Sequence, residues 1–127
     1  MRPIRITIGE ETFDAELEED LAPETVQSIE NALPLEGSAN TWGDEIYFTI
    51  PVDVGPENGR EAVSIGDLGY WPQGNAFCIF YGKTPMSPSE DRIVPASAVN
   101  PIGRISNPER LKQHQSGETV RVEAAGE

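Results

Sequence analysis

Lysine is nearly absent from this 127-residue chain. Lys83 and Lys112 and seven arginines stand against 22 acidic residues, for a formal net charge of −13 at pH 7. A chain so poor in cations has little with which to neutralise phosphates, which argues against nucleic acid as a partner. Cys78 is the one cysteine, so no internal disulfide can form, and the one histidine, His114, lies in a polar run without a second His or Cys. A stable metal site needs three or four convergent ligands, and a Ser-His-Asp set needs a histidine in a suitable strand context. No Gly-rich phosphate loop is present. No apolar run approaches the roughly 20 residues that span a bilayer, and the segment after Met1 lacks the apolar core of a secretory signal. The expectation is a soluble, cytoplasmic protein with no metal or cofactor and no membrane or nucleic-acid partner. Its acidity fits a solvated surface adapted to high salt, with a cationic partner or simple solubility as the other readings.

The aromatic residues are few but clustered. Both tryptophans, all three tyrosines and three of the four phenylalanines fall within residues 42–81, in Trp42-Gly43-Asp44-Glu45-Ile46-Tyr47-Phe48, Leu68-Gly69-Tyr70-Trp71 and Phe77-Cys78-Ile79-Phe80-Tyr81. Short apolar clusters separated by Gly and Pro point to a turn-rich β protein. Ile4, Ile6 and Ile8, then Phe13, Ala15 and Leu17, recur at period two and predict a hairpin. Pro23 and Glu24 open a helix of about three turns with Val26, Ile29 and Leu33 on its apolar stripe, stopped by Pro34. A polar loop over 35–44 leads into a strand with Ile46, Phe48, Ile50 and Val52 on one face. Further strands are expected near 62–65, 68–71, 76–81, 98–105 and 119–123, with Gly55-Pro56-Glu57-Asn58-Gly59 as a turn loop. Pro101 suits an edge or a bulge, Asn107 to Leu111 reads as a short helix, and 84–97 reads as a long surface loop. A single domain over 1–123 is expected, with 124–127 as a frayed acidic tail.

These motifs, in this order, resemble a known family. Leu21-Ala22-Pro23-Glu24-Thr25 is similar to the segment before the first helix of cyclophilins, and Gly74-Asn75-Ala76-Phe77-Cys78-Ile79 is similar to their Gly-Ser-Gln-Phe-Phe-Ile strand. Val99-Asn100-Pro101-Ile102-Gly103-Arg104-Ile105 resembles a later cyclophilin strand. The aromatic segments, together with Phe80-Tyr81-Gly82-Lys83-Thr84-Pro85, resemble the compact cyclophilin-like proteins of bacteria and archaea, which have no settled function. The resemblance implies a mainly β fold, a closed barrel of about eight strands with one or two capping helices. It also raises peptidyl-prolyl isomerisation, in which an Arg stabilises the twisted amide and an apolar groove holds proline. Here the Arg position falls near Asp44 or Glu45, the groove Gln and second Phe match Ala76 and Cys78, and His114 comes too late to be the groove His. The resemblance therefore implies a barrel that binds a proline-containing peptide or small molecule without that catalytic Arg, with a weak or divergent isomerase as the alternative.

The expected ligand site is Trp42, Glu45, Tyr47, Thr49, Trp71 and Thr84. If Ile46 and Phe48 fill the barrel, Glu45, Tyr47 and Thr49 face its outer wall, and only one of Tyr70 and Trp71 can share that side. Aromatic rings there would bind proline by stacking, with the loop from Thr84 closing over it. Glu45 acting as a base in a small-molecule enzyme is a third reading, which requires a raised carboxyl pKa in a concave pocket. Cys78 lacks a basic neighbour in sequence and reads as structural rather than nucleophilic. Asp44, Glu45, Asp53 and Asp67 could form a carboxylate pair or a Ca²⁺ site, but among sixteen Glu and six Asp such pairs arise by chance.

Overall fold

The computed structural model describes residues 2–125. Strands β1 (Arg2–Ile8) and β2 (Glu11–Leu17) form the expected hairpin, with Ile4 opposite Ala15 and Ile6 opposite Phe13. Gly9 takes the positive φ of +62° that its two-residue turn demands. Helix α1 (Pro23–Ala32) follows, burying Thr25, Val26 and Ile29. Leu33 lies just past it as the C-cap, in extended conformation and partly buried against the core.

The remaining strands are β3 (Leu35–Ser38), β4 (Asn40–Thr41), β5 (Glu45–Thr49), β6 (Asp67–Trp71), β7 (Ala76–Phe80), β8 (Asn100–Ile105) and β9 (Thr119–Ala124). They form one sheet in the order β3-β9-β1-β2-β8-β6-β7-β5-β4, in which every pairing is antiparallel. The segment expected as a polar loop over 35–44 is instead what nearly closes the sheet into a barrel. Its first half pairs with β9 and its second with β5, the opposite ends of the order. Only Leu35 and Ala39 mark its buried face, because Gly37 takes the inward position between them. A Cβ at Gly37 would come within 2.9 Å of the Phe48 ring, so the closure needs a residue that carries no apolar signal.

Three other expectations change. β8 is interior, between β2 and β6, so Pro101 is not on an edge and gives no protection against sheet pairing. It lies opposite Gly69 at a register shift, a bulge, and the pairing with β2 has already ended at Gly103. The stretch 62–65 contributes an isolated bridge, Val63 to Ile93, and no ladder. Ala124 pairs with Ile4 and the Ala125 N–H donates to the Pro3 carbonyl at 3.1 Å, so the tail expected to fray is held that far. The rest of that tail, 126–127, lies outside the described residues. The short helix expected after Asn107 is a 3-10 helix, Pro108–Gln113.

The barrel interior holds the main core, with Ile4, Ile6, Phe13, Phe48, Leu68, Phe77 and Ile79 among its buried members. Truncating one of its large side chains, such as Phe48→Ala, costs about 3–5 kcal/mol. Among the described residues, no helix is long and apolar enough to cross a membrane.

Candidate functional site

The outer wall of the barrel over β5, β7 and β6 is covered as well. β7 is buried at all five positions, Ala76 to Phe80, because its two faces serve two clusters. Phe77 and Ile79 enter the main core, while Ala76, Cys78 and Phe80 pack outward with Val63, Ile93 and Val99 under the loops over 50–66 and 82–99. Tyr47 and Trp71 border this second cluster. Tyr70 and Trp71 divide as strand alternation requires. Tyr70 points inward, its hydroxyl donating to the Val52 carbonyl at 2.5 Å, while Trp71 points outward.

At the rim of the outer cluster lies a concave pocket of about 130 Å³, lined from the sheet side by Trp42, Glu45, Tyr47 and Trp71 and from the loop by Pro95, Ala96 and Val99. Each aromatic wall is fixed by a different device. The Trp71 indole N–H donates to Ser97 Oγ at 2.5 Å, and Ser97 Oγ donates in turn to Gln73 Oε1 at 3.0 Å. Tyr47 meets Trp71 edge to face, 6.4 Å between centroids and 80° between planes, a favoured aromatic geometry. Trp42 sits in the tight β4–β5 turn, its N–H donating to the Glu45 carbonyl at 3.0 Å, with Gly43 at φ +61°. That turn interlocks with the next segment through Asp44 N–H to the Lys83 carbonyl (2.8 Å) and Tyr81 N–H to the Asp44 carbonyl (3.0 Å).

Glu45 is the polar exception among these walls. Its outward direction matches strand alternation, but it is only 6% exposed. Burial pushes its carboxyl up to about 7, offset in part by a hydrogen bond from the Cys78 thiol. Burial, followed by the Glu45 charge and the same hydrogen bond, drives the Cys78 thiol well above its ordinary range. The thiol also lies 3.8 Å from the Ala76 carbonyl. Such a thiol is a poor nucleophile. Burial, then the charges of Asp44 and Glu45, raises the Tyr81 hydroxyl to about 12.

Of the six residues expected to bind a ligand, the structure brings Trp42, Glu45, Tyr47 and Trp71 together and leaves two apart. Thr49 is exposed at the end of β5 and does not line the pocket. Thr84 is buried and committed to the loop, its hydroxyl donating to the Val94 carbonyl at 2.5 Å and contacting Ser87 Oγ at 3.0 Å. The long loop does form one wall, through Pro95, Ala96 and Val99 rather than through Thr84. No sequence signal separates those three from other small apolar loop residues.

The remaining candidates have structural partners. Asp67 accepts from the Ser64 N–H at 2.8 Å and pairs with Arg104. His114, alone in sequence, is wedged between Glu11 (2.8 Å) and Glu118 (2.9 Å), with the edge of Phe13 against its ring. Sequence reading missed a second polar centre. Glu57, from the 50–66 loop, accepts from the N–H groups of Glu24 (3.0 Å) and Thr25 (2.8 Å) and from the Thr25 hydroxyl (2.7 Å). Buried Asn100 holds that loop by accepting from the Glu57 N–H and donating to Thr25 Oγ1 and the Gly55 carbonyl. Glu57 thus caps α1 from a distance.

A family profile described as cyclophilin-like matches residues 2–123. The solution structure of the hypothetical protein AF2241 from Archaeoglobus fulgidus is 49% identical, with a TM-score of 0.82 over 98% of this chain and 95% of that one. The structure of McbB in complex with tryptophan aligns with a TM-score of 0.75 at 17% identity, covering 98% of this chain and 45% of McbB, a likeness of fold alone. No curated protein matches the sequence.

Proposed function

The chain belongs to the cyclophilin-like family, and from that premise we propose that it binds a small ligand, or one side chain of a peptide, in the outer-wall pocket without isomerase chemistry. The observation that carries this reading is the convergence of Trp42, Tyr47, Trp71 and the buried Glu45 on one open concavity. Apolar walls with a few placed polar groups are the usual composition of a ligand site. A pocket of about 130 Å³ suits a single ring, since cavities of about 150 Å³ accept benzene. A proline ring or a compact amine is of that size. McbB, which shares the fold, was solved with tryptophan bound, and tryptophan therefore belongs in the ligand panel.

The test is calorimetric titration of the folded protein with X-Pro peptides, tryptophan and small cyclic amines. Saturable binding that Trp71→Ala abolishes is expected. A flat response to the whole panel would overturn the reading. In a parallel assay of X-Pro isomerisation, no acceleration is expected, because Asp44 and Glu45 stand near where the resemblance puts the isomerase Arg. Acceleration lost in Tyr47→Ala would favour the isomerase alternative instead.

One observation favours a second reading. A carboxyl pushed up to about 7 is poised for general acid–base work at neutral pH. Glu45 acting on a bound ligand predicts turnover that Glu45→Gln removes while affinity survives, and turnover unchanged in that variant would exclude it.

A further inference from the structure

We infer that the pocket is a cage for a compact organic cation, with Trp42, Tyr47 and Trp71 as its aromatic walls and the Glu45 carboxylate as counter-charge. Its ligand class is then a methylated or secondary ammonium group. The inference rests on the ligand-site reading above and narrows it to one chemistry.

Three features support a cation over a neutral ring. First, Tyr47 and Trp71 stand at 80° to each other, so a group in the corner between them meets two differently oriented π systems, and Trp42 adds a third aromatic wall. Aromatic faces attract cations through their quadrupoles, and enclosed aromatic cages are used to recognise quaternary and methylated ammonium groups. Second, the pocket lining includes one acidic side chain, the buried Glu45, and no basic one. A buried carboxylate without a cation is costly, and a bound ammonium supplies the missing partner. Third, the chain carries 22 acidic residues against nine basic ones, a field that favours approach of a cation. The cavity, at about 130 Å³, has room for a trimethylammonium group, whose bulk is close to that of benzene.

The groups packed around Glu45 allow a clean pH readout. Cys78 from β7 and Tyr81 after it are both pushed up, Tyr81 to about 12, so neither changes charge between pH 6 and 8. Tyr47 lies on the same strand, and Asp44 precedes Glu45 in the turn. Glu45, pushed up to about 7, loses its charge as the pH falls through that value. The His114 imidazole is raised above its ordinary value despite burial, by its contacts with Glu118 and Glu11, and it lies outside the pocket between those two carboxylates. A His114→Gln control separates its contribution.

The experiment is calorimetric titration with choline and with its neutral isostere 3,3-dimethylbutan-1-ol, at pH 8 and pH 6, on the unmodified protein and on Glu45→Gln. Choline is expected to bind at least about tenfold more tightly than the isostere at pH 8, the range available to a desolvated cation–aromatic contact. That advantage should shrink at pH 6 and in Glu45→Gln, while affinity for the isostere stays the same. Equal affinity for the two probes overturns the cation inference and leaves the ring-binding site standing. A choline preference indifferent to both pH and Glu45→Gln also overturns it, since the cation would then be held elsewhere. If neither probe binds and the ring panel is also silent, the ligand-site reading fails with it. The pH comparison on the unmodified protein decides the matter even if Glu45→Gln does not fold.

Discussion

Glu45 works against the stability of its own fold. An acid whose pKa is near 4.5 unfolded and about 7 folded binds its proton more tightly in the native state. Stability is therefore fullest below the unfolded pKa and is lost as pH rises from about 4.5 through 7, by on the order of 3 kcal/mol. Glu45→Gln is expected to raise the denaturation midpoint at pH 8 and to change it little at pH 4.5. An equal effect at both pH values would contradict the burial argument. Residues that destabilise a fold in this way are often kept for function. Glu57 behaves oppositely. Burial raises its pKa, but the hydrogen bonds from Thr25 and Glu24 outweigh that and hold it below its usual value. Its contribution is present above about pH 4.5 and is lost as pH falls through the depressed folded pKa. Glu57→Ala should cost about 1–2 kcal/mol, as loss of a helix cap does, measured by urea denaturation at pH 7. For His114, burial lowers the pKa, and the hydrogen bonds and charges of Glu118 and Glu11 overcome it to raise the value. Its contribution is complete below about pH 6.5 and disappears as pH rises through the raised folded pKa. The pH dependence above 6.5 should therefore flatten in His114→Gln, and an unchanged profile would show that the two contacts do not matter.

Among the elements, β7 and the loop over 82–99 position the pocket together. Gly69 on β6 makes their contact possible, since a Cβ there would meet Val99 Cγ2 at 2.9 Å, and Val99 is a pocket wall. Gly69→Ala is expected to destabilise by about 1–3 kcal/mol, as overpacking does, and to weaken ligand binding beyond that of a distant mutation of equal cost. The hairpin, α1 and β5 were legible because their apolar residues recur at helical or strand period, and β6 and β7 because each is a short apolar and aromatic run bounded by Gly, Pro or Asn. The barrel-closing segment was not, because Gly37 replaces an inward side chain and its exposed residues are polar. The interior place of β8 was not fixed by Pro101, which local rules assign to an edge or a bulge and which the pairing with β6 places at a bulge. At the site, strand alternation brought out Glu45, Tyr47 and Trp71. Thr84 was misread because its sequence position gives no hint that its hydroxyl is spent on Val94 and Ser87. Pro95, Ala96 and Val99 depend on how a long loop folds back, a property set by contacts distant in sequence.

For the whole molecule, 22 acidic residues against nine basic ones mean self-repulsion at low ionic strength. Melting temperature is expected to rise as KCl is increased from low to molar concentration, and a fall with salt would contradict a surface suited to brine. The barrel keeps its main core inside and builds a second, smaller cluster on its outer wall. That second cluster is where a groove can be shaped without opening the core. The most direct test of the site is an amide and indole NMR titration of the folded protein with a library of ring-sized fragments. Shifts concentrated on Trp42, Glu45, Tyr47, Trp71 and Val99 are the expected result. Shifts confined to another part of the barrel, or no shifts across the library, would contradict a ligand site on this wall.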